Sequence, residues 1–134
     1  MRHKCIADEE CPVACTLQMV GEWWSILILR DCLRGLTRFD QFQKNLAISP
    51  NMLTRRLQTL VDAGLLERRQ YCEHPPRHEY ILTERGRDFR IVIAAMYDWG
   101  SRNLPIEGQA DSPRPSSLPG EDAERYLQGK NEEI

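Results

Sequence analysis

The sequence lacks an apolar run long enough to cross a membrane. Its longest run, over residues 23–29, is closed by Arg30 and Asp31, whereas a helical span needs roughly 18 apolar residues. The N-terminus has basic residues but no apolar segment behind them, so it does not match a secretory signal. These absences predict a cytoplasmic protein with no membrane partner.

Motifs that are typical of enzymes are also missing. The chain has no glycine-rich phosphate loop, no nucleophile elbow and no His-Glu-x-x-His sequence. Its three histidines, His3, His74 and His78, fall in the N-terminal arm and in a predicted hairpin loop rather than in a cleft. We therefore predict no enzymatic activity, no catalytic residue and no cofactor.

Paired cysteine motifs are absent as well. The five cysteines are an odd number and include no Cys-x-x-Cys pair, so no disulfide framework is predicted. His3, Cys5, Cys11 and Cys15 offer soft ligands near one another, but their spacing matches no zinc pattern. No metal site is therefore predicted, and a metal-sensing protein is kept only as an alternative. Cys32, on a helix that is apolar all round, is predicted to lie in the core.

The net charge of −2 argues mildly against a nucleic-acid binder, but the charges are unevenly distributed. Residues 34–90 hold eleven basic and seven acidic residues, a net charge of +4. Residues 106–134 hold three basic and seven acidic residues, a net charge of −4. Because phosphate binding depends on the local field, the acidic tail conceals a basic domain that is compatible with DNA binding.

A chain of 134 residues is long enough for one domain with its own core. We predict an N-terminal arm over residues 1–10, a folded domain over 11–104 and an acidic tail with Pro, Ser and Gly over 105–134. The tail is expected to be flexible, with weak support for a short helix over residues 121–127. Its deletion is expected to leave the fold intact and to tighten non-specific DNA binding.

Apolar periodicity, capping residues and glycine stops predict several helices and one β-hairpin. The order of these elements is that of a winged helix-turn-helix. The predicted fold class is mainly α with a small β-hairpin, dimerised through the terminal helices. The predicted helices begin and end near residues 12–20, 22–34, 38–45, 50–63 and 84–101, and the predicted strands cover 65–71 and 79–82 around a loop over 72–78.

The helix that begins after Ser49 is the candidate recognition helix. At about 100° per residue, with Leu53 at 0°, the apolar residues Leu57, Leu60 and Val61 fall between about 340° and 80°. The opposite side, between about 100° and 200°, carries amide, guanidinium and hydroxyl groups that can read base edges. The alternative is a solvated helix face with no partner. The four residues on that side are Asn51, Thr54, Arg55 and Gln58.

Basic side chains around this helix extend the predicted DNA-binding set. Arg77, in the hairpin loop, can enter a minor groove or contact phosphate, and Arg68 lies at the base of the hairpin. Arg38 begins the third helix, where a cation opposes the helix dipole, so a phosphate or a buried carboxylate is expected beside it. Arg56 flanks the apolar stripe and is given a phosphate or structural role. Ser49, at the N-cap, completes the set.

The last predicted helix has more apolar surface than so small a domain can bury within its own chain. We therefore predict a homodimer, joined also by the first helix; the alternative is a helix that lies across the core with a few exposed apolar residues. Two-fold symmetry predicts an inverted-repeat operator with the two recognition helices about one helical turn apart. The predicted interface residues are Val13, Leu17, Phe89, Val92, Ile93, Met96 and Trp99.

Cys11 lies at the predicted N-cap of the first helix, where peptide N–H groups favour the reactive thiolate. Glu9 and Glu10 oppose that effect. Oxidation could give a sulfenic acid, a mixed disulfide or an intersubunit disulfide. The alternative is a cysteine packed at the interface with no signalling role. The candidate resolving partners are Cys5, Cys15 and Cys72.

One set of motifs covers nearly the whole predicted domain. Its members include Cys11-Pro12, Gly21-Glu22-Trp23-Trp24, Arg38-Phe39, Ile48-Ser49, Ala63-Gly64-Leu65, Pro75-Pro76, Glu79-Tyr80, Leu82-Thr83, Gly86 and Trp99-Gly100. In this combination the chain resembles the HxlR-type transcriptional regulators, bacterial winged-helix proteins similar to the MarR group. One minor departure is Ser25, where the usual pattern has Thr.

The resemblance implies a homodimeric DNA-binding regulator that acts on nearby promoters, with repression favoured over activation. Several members of the family sense electrophiles, quinones or oxidants through a cysteine at the position of Cys11, so the resemblance implies a thiol-reactive inducer. Two alternatives stay open: a regulator of the same fold that responds to a metal or small ligand, and a winged-helix protein-interaction module that does not bind DNA.

Overall fold

The computed structural model describes residues 11–105 and 121–128. This part of the chain is mainly helical and contains one antiparallel two-stranded hairpin, as predicted. The N-terminal arm, residues 1–10, lies outside the described residues. The helices are α1 (Pro12–Val20), α2 (Trp23–Leu33), α3 (Phe39–Leu46), α4 (Pro50–Asp62), α5 (Glu84–Asp88), α6 (Arg90–Asn103) and α7 (Glu121–Gln128), and the strands are β1 (Leu66–Glu73) and β2 (Pro76–Leu82).

The ends of the central helices follow from local sequence. The Ser49 hydroxyl accepts a hydrogen bond from the Met52 N–H at 3.3 Å and so caps α4, with Pro50 in the first turn. Gly64 follows the C-cap of α4 and has a φ of 77°, which glycine adopts without steric cost. In the turn between α3 and α4, Ala47 adopts a φ of 52°, an unfavourable value for a residue with a Cβ.

The core lies between α2, α3 and the inner side of α4. Helix α2 is central because Ile28 and Leu29 have no exposed surface. The buried Asp31 carboxylate accepts hydrogen bonds from Arg30, with the Nη2 atom at 3.0 Å, and from the Asn45 amide at 2.8 Å, so it ties α2 to α3. In the described part of the chain, no single helix is long and apolar enough to span a membrane; α1 and α2 pass that test only jointly, as a pair bent by 86°.

The hairpin, called the wing below, is longer and its turn is shorter than the sequence indicates. Pairing runs from Leu66 opposite Leu82 to Glu73 opposite Pro76, which leaves only residues 74–75 in the turn. The predicted seven-residue loop is therefore wrong. Pro76 is tolerated because it begins its strand, where the N–H that proline lacks is not needed inside the ladder.

The long helix predicted over residues 84–101 is divided in the structure. Helix α5 ends at Asp88 and α6 begins at Arg90, with Phe89 between them packed against the core. Ile93 is also buried in its own chain, with 4% of its surface exposed. The assignment of Phe89 and Ile93 to an unpartnered helix face is therefore corrected: both side chains are used by the intrachain core.

The tail departs from the flexible segment that its composition indicates. Residues 121–128 form α7, which packs on α6 and α2 and buries Ala123 and Leu127 almost completely. Composition over the whole tail is polar, but Ala123, Tyr126 and Leu127 recur at helical spacing and form a local apolar stripe. The rest of the tail, residues 106–120 and 129–134, lies outside the described residues.

Candidate nucleic-acid interface

The outer side of α4 presents the four residues that the rotation argument selected. The side chains of this side are exposed, whereas Leu53, Leu57 and Leu60 on the inner side have no exposed surface. The inner leucines anchor the helix to the core, so the polar side faces away from the protein. The exposed residues are Asn51, Thr54, Arg55 and Gln58.

Intrachain hydrogen bonds leave different parts of this face available. The Thr54 hydroxyl donates a hydrogen bond to the Pro50 carbonyl at 2.9 Å. The Thr54 methyl group remains available for contact with a base. The Gln58 amide donates to an Asp62 carboxylate oxygen at 2.8 Å. Within the described residues, Asn51 and Arg55 show no side-chain hydrogen bond or ion pair, so their amide and guanidinium groups are available.

Arg56 lies at the edge of the core rather than on the outer face of α4. Its Nε atom lies 3.5 Å from the Met52 sulfur, and its Nη2 atom lies 3.9 Å from a carboxylate oxygen of Glu22. The side chain is partly buried. These contacts connect α4 to the start of α2 and favour the structural role over a base contact.

The wing carries three arginines in different settings. Arg68 has its Nη2 atom 3.3 Å from His78 Nδ1, and Arg69 pairs with Glu67 at 3.5 Å. Arg68 and Arg69 are successive strand residues, so they lie on opposite faces of the hairpin. Arg77 is exposed close to the turn, where it can reach beyond the end of the domain.

Arg38 joins the wing to the start of α3. Its guanidinium carbon lies 4.6 Å from the centre of the Tyr71 ring, and within the described residues no carboxylate forms an ion pair with it. A buried carboxylate, one of the two expected neighbours of Arg38, is therefore not what lies beside it. Sequence reasoning missed Tyr71, because the contact crosses β2 and joins residues far apart in the chain.

Apolar side chains remain exposed on α1, on α6 and at the start of α2. Val13 and Leu17 are 69% and 55% exposed, and Met96 and Trp99 are 52% and 57% exposed. Val92 is half-buried. Four of the seven predicted interface residues are therefore exposed, Val92 and Phe89 are half-buried and Ile93 is buried. Trp23, Ile91 and Leu104 are further exposed apolar residues.

The described cysteines are free thiols in contrasting environments. Cys11 is half-buried at the N-cap of α1, and its carbonyl accepts a bond from the Cys15 N–H at 2.9 Å. Cys72 is half-buried in the wing. Burial, with a smaller effect of the nearby Asp31 carboxylate, strongly raises the pKa of the Cys32 thiol, so Cys32 is an unreactive core residue as predicted.

A candidate metal centre is not found in the described residues. No three or more His, Cys, Asp or Glu side chains among residues 11–105 and 121–128 are grouped closely enough to hold an ion. Two of the soft ligands considered above, His3 and Cys5, lie outside that part of the chain.

Comparison with known sequences finds a family match over most of the folded domain. The profile of the HxlR-like helix-turn-helix family matches residues 19–107. An HTH-type transcriptional regulator of Mycobacterium tuberculosis, Rv3095, is 46% identical over 89 residues, which make up 66% of this chain and 56% of that protein. The chain thus spans little more than half the length of the mycobacterial relatives that it matches.

Solved structures of transcription factors are similar in fold. PA1374 from Pseudomonas aeruginosa is 53% identical with a TM-score of 0.58, over 81% of this chain and 76% of that one. The redox regulator HypR, in its oxidised form, is 34% identical with a TM-score of 0.65, over 72% of this chain and 100% of that one. These proteins are transcriptional regulators rather than enzymes. The chain belongs to the HxlR family of winged helix-turn-helix transcriptional regulators.

Proposed function

We propose that the protein is a homodimeric repressor that binds an inverted-repeat operator and releases it after modification of Cys11. The observation that carries this proposal is the outer side of α4, where Asn51 and Arg55 are exposed opposite a fully buried leucine stripe. A helix so presented, with a wing that carries three arginines beside it, has the shape and chemistry that enter a major groove.

The roles of the polar residues follow from their chemistry and their positions. The Asn51 amide can donate to adenine N7 and accept from the adenine N6 amino group, and the Arg55 guanidinium can donate to guanine O6 and N7. Thr54 offers its methyl group to thymine, and Ser49 fixes the start of α4 through its cap. Arg77 reaches a neighbouring minor groove from the wing.

The exposed apolar residues support a second copy of the chain as partner. Side chains such as Leu17, Met96 and Trp99 are too apolar and too numerous on α1 and α6 to be scattered surface residues. A symmetric contact between these helices buries them in both copies. Such a dimer presents two α4 helices and requires an operator with two-fold symmetry.

A switch at Cys11 is supported by its position and by the similarity to HypR, a redox regulator. Cys11 begins α1, whose Val13 and Leu17 belong to the proposed dimer surface. Addition of the thiolate to a quinone forms an S–C bond as a ring C=C π bond breaks. A proton from water converts the carbonyl oxygen to a hydroxyl, and loss of the ring C–H proton gives the hydroquinone thioether, so no further oxidant is needed. The added group changes the packing of α1 and hence the separation of the two α4 helices. Because its targets are promoters, we place the protein in the cytoplasm.

Selection of bound duplexes from a random-sequence library tests the proposal most directly. We expect an inverted repeat, with binding that weakens steeply as salt rises. Sedimentation at micromolar concentration is expected to show a dimer. A monomer, or a library with no enriched sequence, would contradict the proposed complex and favour a protein-interaction module.

The switch is tested by adding diamide or benzoquinone to the protein–operator complex. We expect wild-type protein to release DNA and Cys11→Ser to retain it. Cys15→Ser serves as the matched control in the benzoquinone assay, because the addition needs no second thiol and Cys15 lies one helical turn away on α1. Indifference of the wild-type complex to both reagents would exclude the switch while leaving operator binding intact.

A further inference from the structure

We propose that Tyr71 is a positioning residue for DNA binding, which holds the Arg38 guanidinium against the wing so that it meets a backbone phosphate. This role rests on the proposed function, since it concerns the same DNA-facing surface. It goes beyond the proposed function by joining the wing and the helix-turn-helix into one phosphate clamp. Three features of the structure carry it.

The first feature is the fixed backbone of Arg38. The Gln41 side-chain carbonyl accepts hydrogen bonds from the N–H groups of Thr37 at 3.1 Å and Arg38 at 3.0 Å. On the other side, the Thr37 carbonyl accepts a bond from the Tyr80 N–H at 2.7 Å, and Arg38 bridges to Glu79. Thr37 and Arg38 thus pair with the outer edge of β2, and this pairing fixes the position of the Arg38 backbone.

The second feature is the placement of Tyr71. Arg38, Glu79 and Arg69 lie in one row across the sheet, and Tyr71 lies two residues beyond Arg69 on β1. The contact between the Arg38 guanidinium and the Tyr71 ring places Tyr71 on the side that Arg38 crosses. The pairing skips Tyr71, because Gln70 faces His78 and Cys72 faces Arg77. A bulge of this kind can redirect a side chain.

The third feature is the kind of partner that Arg38 has. Arg69 forms an ion pair with the Glu67 carboxylate. The Arg38 guanidinium carbon instead lies 4.6 Å from the centre of the neutral Tyr71 ring. A ring contact leaves the charge of the guanidinium uncompensated, and stacking on its flat face leaves its N–H edges available for a phosphate. Tyr71 therefore removes side-chain freedom from Arg38 before DNA arrives, which lowers the entropic cost of binding.

Two substitutions at Tyr71 distinguish the contribution of the ring from that of the hydroxyl group. Affinity is measured by fluorescence anisotropy on a labelled duplex of random sequence over a salt series, since a phosphate contact needs no operator. We expect Tyr71→Leu to weaken binding about two- to fivefold and Tyr71→Phe to leave it unchanged. Arg38→Gln is expected to lower the salt slope by about one, and Tyr71→Leu is expected to have no further effect in that background.

A DNA-free measurement supplies the matched control for folding. The Nε–H proton resonance of Arg38 is expected to be shifted upfield by the ring in wild-type and Tyr71→Phe protein and to return to its ordinary position in Tyr71→Leu. Equal weakening by Tyr71→Leu with and without Arg38, or equal damage from Tyr71→Phe, would overturn the positioning role. Absence of any duplex binding by wild-type protein would instead overturn the proposed function, and this role with it.

Discussion

The outer side of α4 and the surface that holds α7 both use arginine, but in opposite ways. On α4, Arg55 is exposed and has no intrachain partner within the described residues. Against α7, Arg90 donates to both carboxylate oxygens of Glu124, and Arg34 lies 4.3 Å from the centre of the Tyr126 ring. The first surface is available to an external partner. On the second, Arg90 is paired within the chain and Arg34 lies against a ring, although its buried Nε atom has no hydrogen-bond partner among the described residues.

This difference changes how the acidic tail relates to DNA binding. Composition alone suggests that the tail competes with DNA as a free negative segment. In the structure, Tyr126 also stacks on Tyr97 at 4.6 Å, and Leu127 is fully buried. Residues 121–128 are thus part of the folded domain. We therefore no longer expect deletion of the tail to leave the fold intact, and expect it to lower the stability of the domain.

The largest expected effect is at Leu127. We expect Leu127→Ala to lower the free energy of unfolding by about 2–4 kcal/mol, because it opens a cavity under α7. Urea denaturation measures this loss. Lys44→Ala, at an exposed side chain of α3, is the control and should change stability by less than about 0.5 kcal/mol. Equal stability of Leu127→Ala and wild type would show that α7 adds nothing to the fold.

The next effect concerns Arg55. We expect Arg55→Ala to weaken operator binding by about 1–3 kcal/mol through the loss of a base contact, with little change in thermal stability. Arg90→Ala is the matched control from the other surface, and should lower stability while operator affinity is retained. Anisotropy titrations and melting curves on both variants measure the two quantities. An Arg55→Ala protein with wild-type affinity would remove α4 from the interface.

A smaller effect is expected in the turn between α3 and α4. Ala47 has a φ of 52°, and glycine relieves the clash of the Cβ at such a position. We expect Ala47→Gly to raise the free energy of unfolding by up to about 1 kcal/mol, because the cost of the left-handed conformation for alanine, about 1–2 kcal/mol, exceeds the entropic cost of glycine. Ala63→Gly, at a residue with ordinary helical backbone angles, should instead lower it. A gain at both positions in chemical denaturation would refute the explanation from backbone geometry.

The smallest effect is the pH dependence of the Glu124–Arg90 pair. The hydrogen bond from Arg90 lowers the pKa of Glu124, so the pair stabilises the fold above the ordinary pKa of a glutamate. That contribution is lost as the pH falls through the lowered value. We expect Glu124→Gln to be less stable than wild type near neutral pH by under about 1 kcal/mol and equally stable in strong acid. A difference that persists in acid would assign the loss to packing rather than charge.

The exposed polar side of α4 could be predicted because its signals are local. The spacing of Leu53, Leu57 and Leu60 fixes which side of the helix is buried, and Ser49 marks where the helix begins. The length of the wing strands was harder to predict from the sequence. A strand continues past a local turn signal only if its partner strand is in register with it. Pairing of Glu73 with Pro76 depends on that register, which no short segment contains.

The sequence by itself determined the HxlR family, the order of helices and hairpin, and the polar side of α4, because helical periodicity and capping act within a few residues. Only the tertiary structure decided three other features: the break at Phe89, the docking of α7, and the contact of Arg38 with Tyr71. Each depends on residues that are distant in the chain and adjacent in space. Their energies come from burial and stacking between elements, which arise only once those elements have packed.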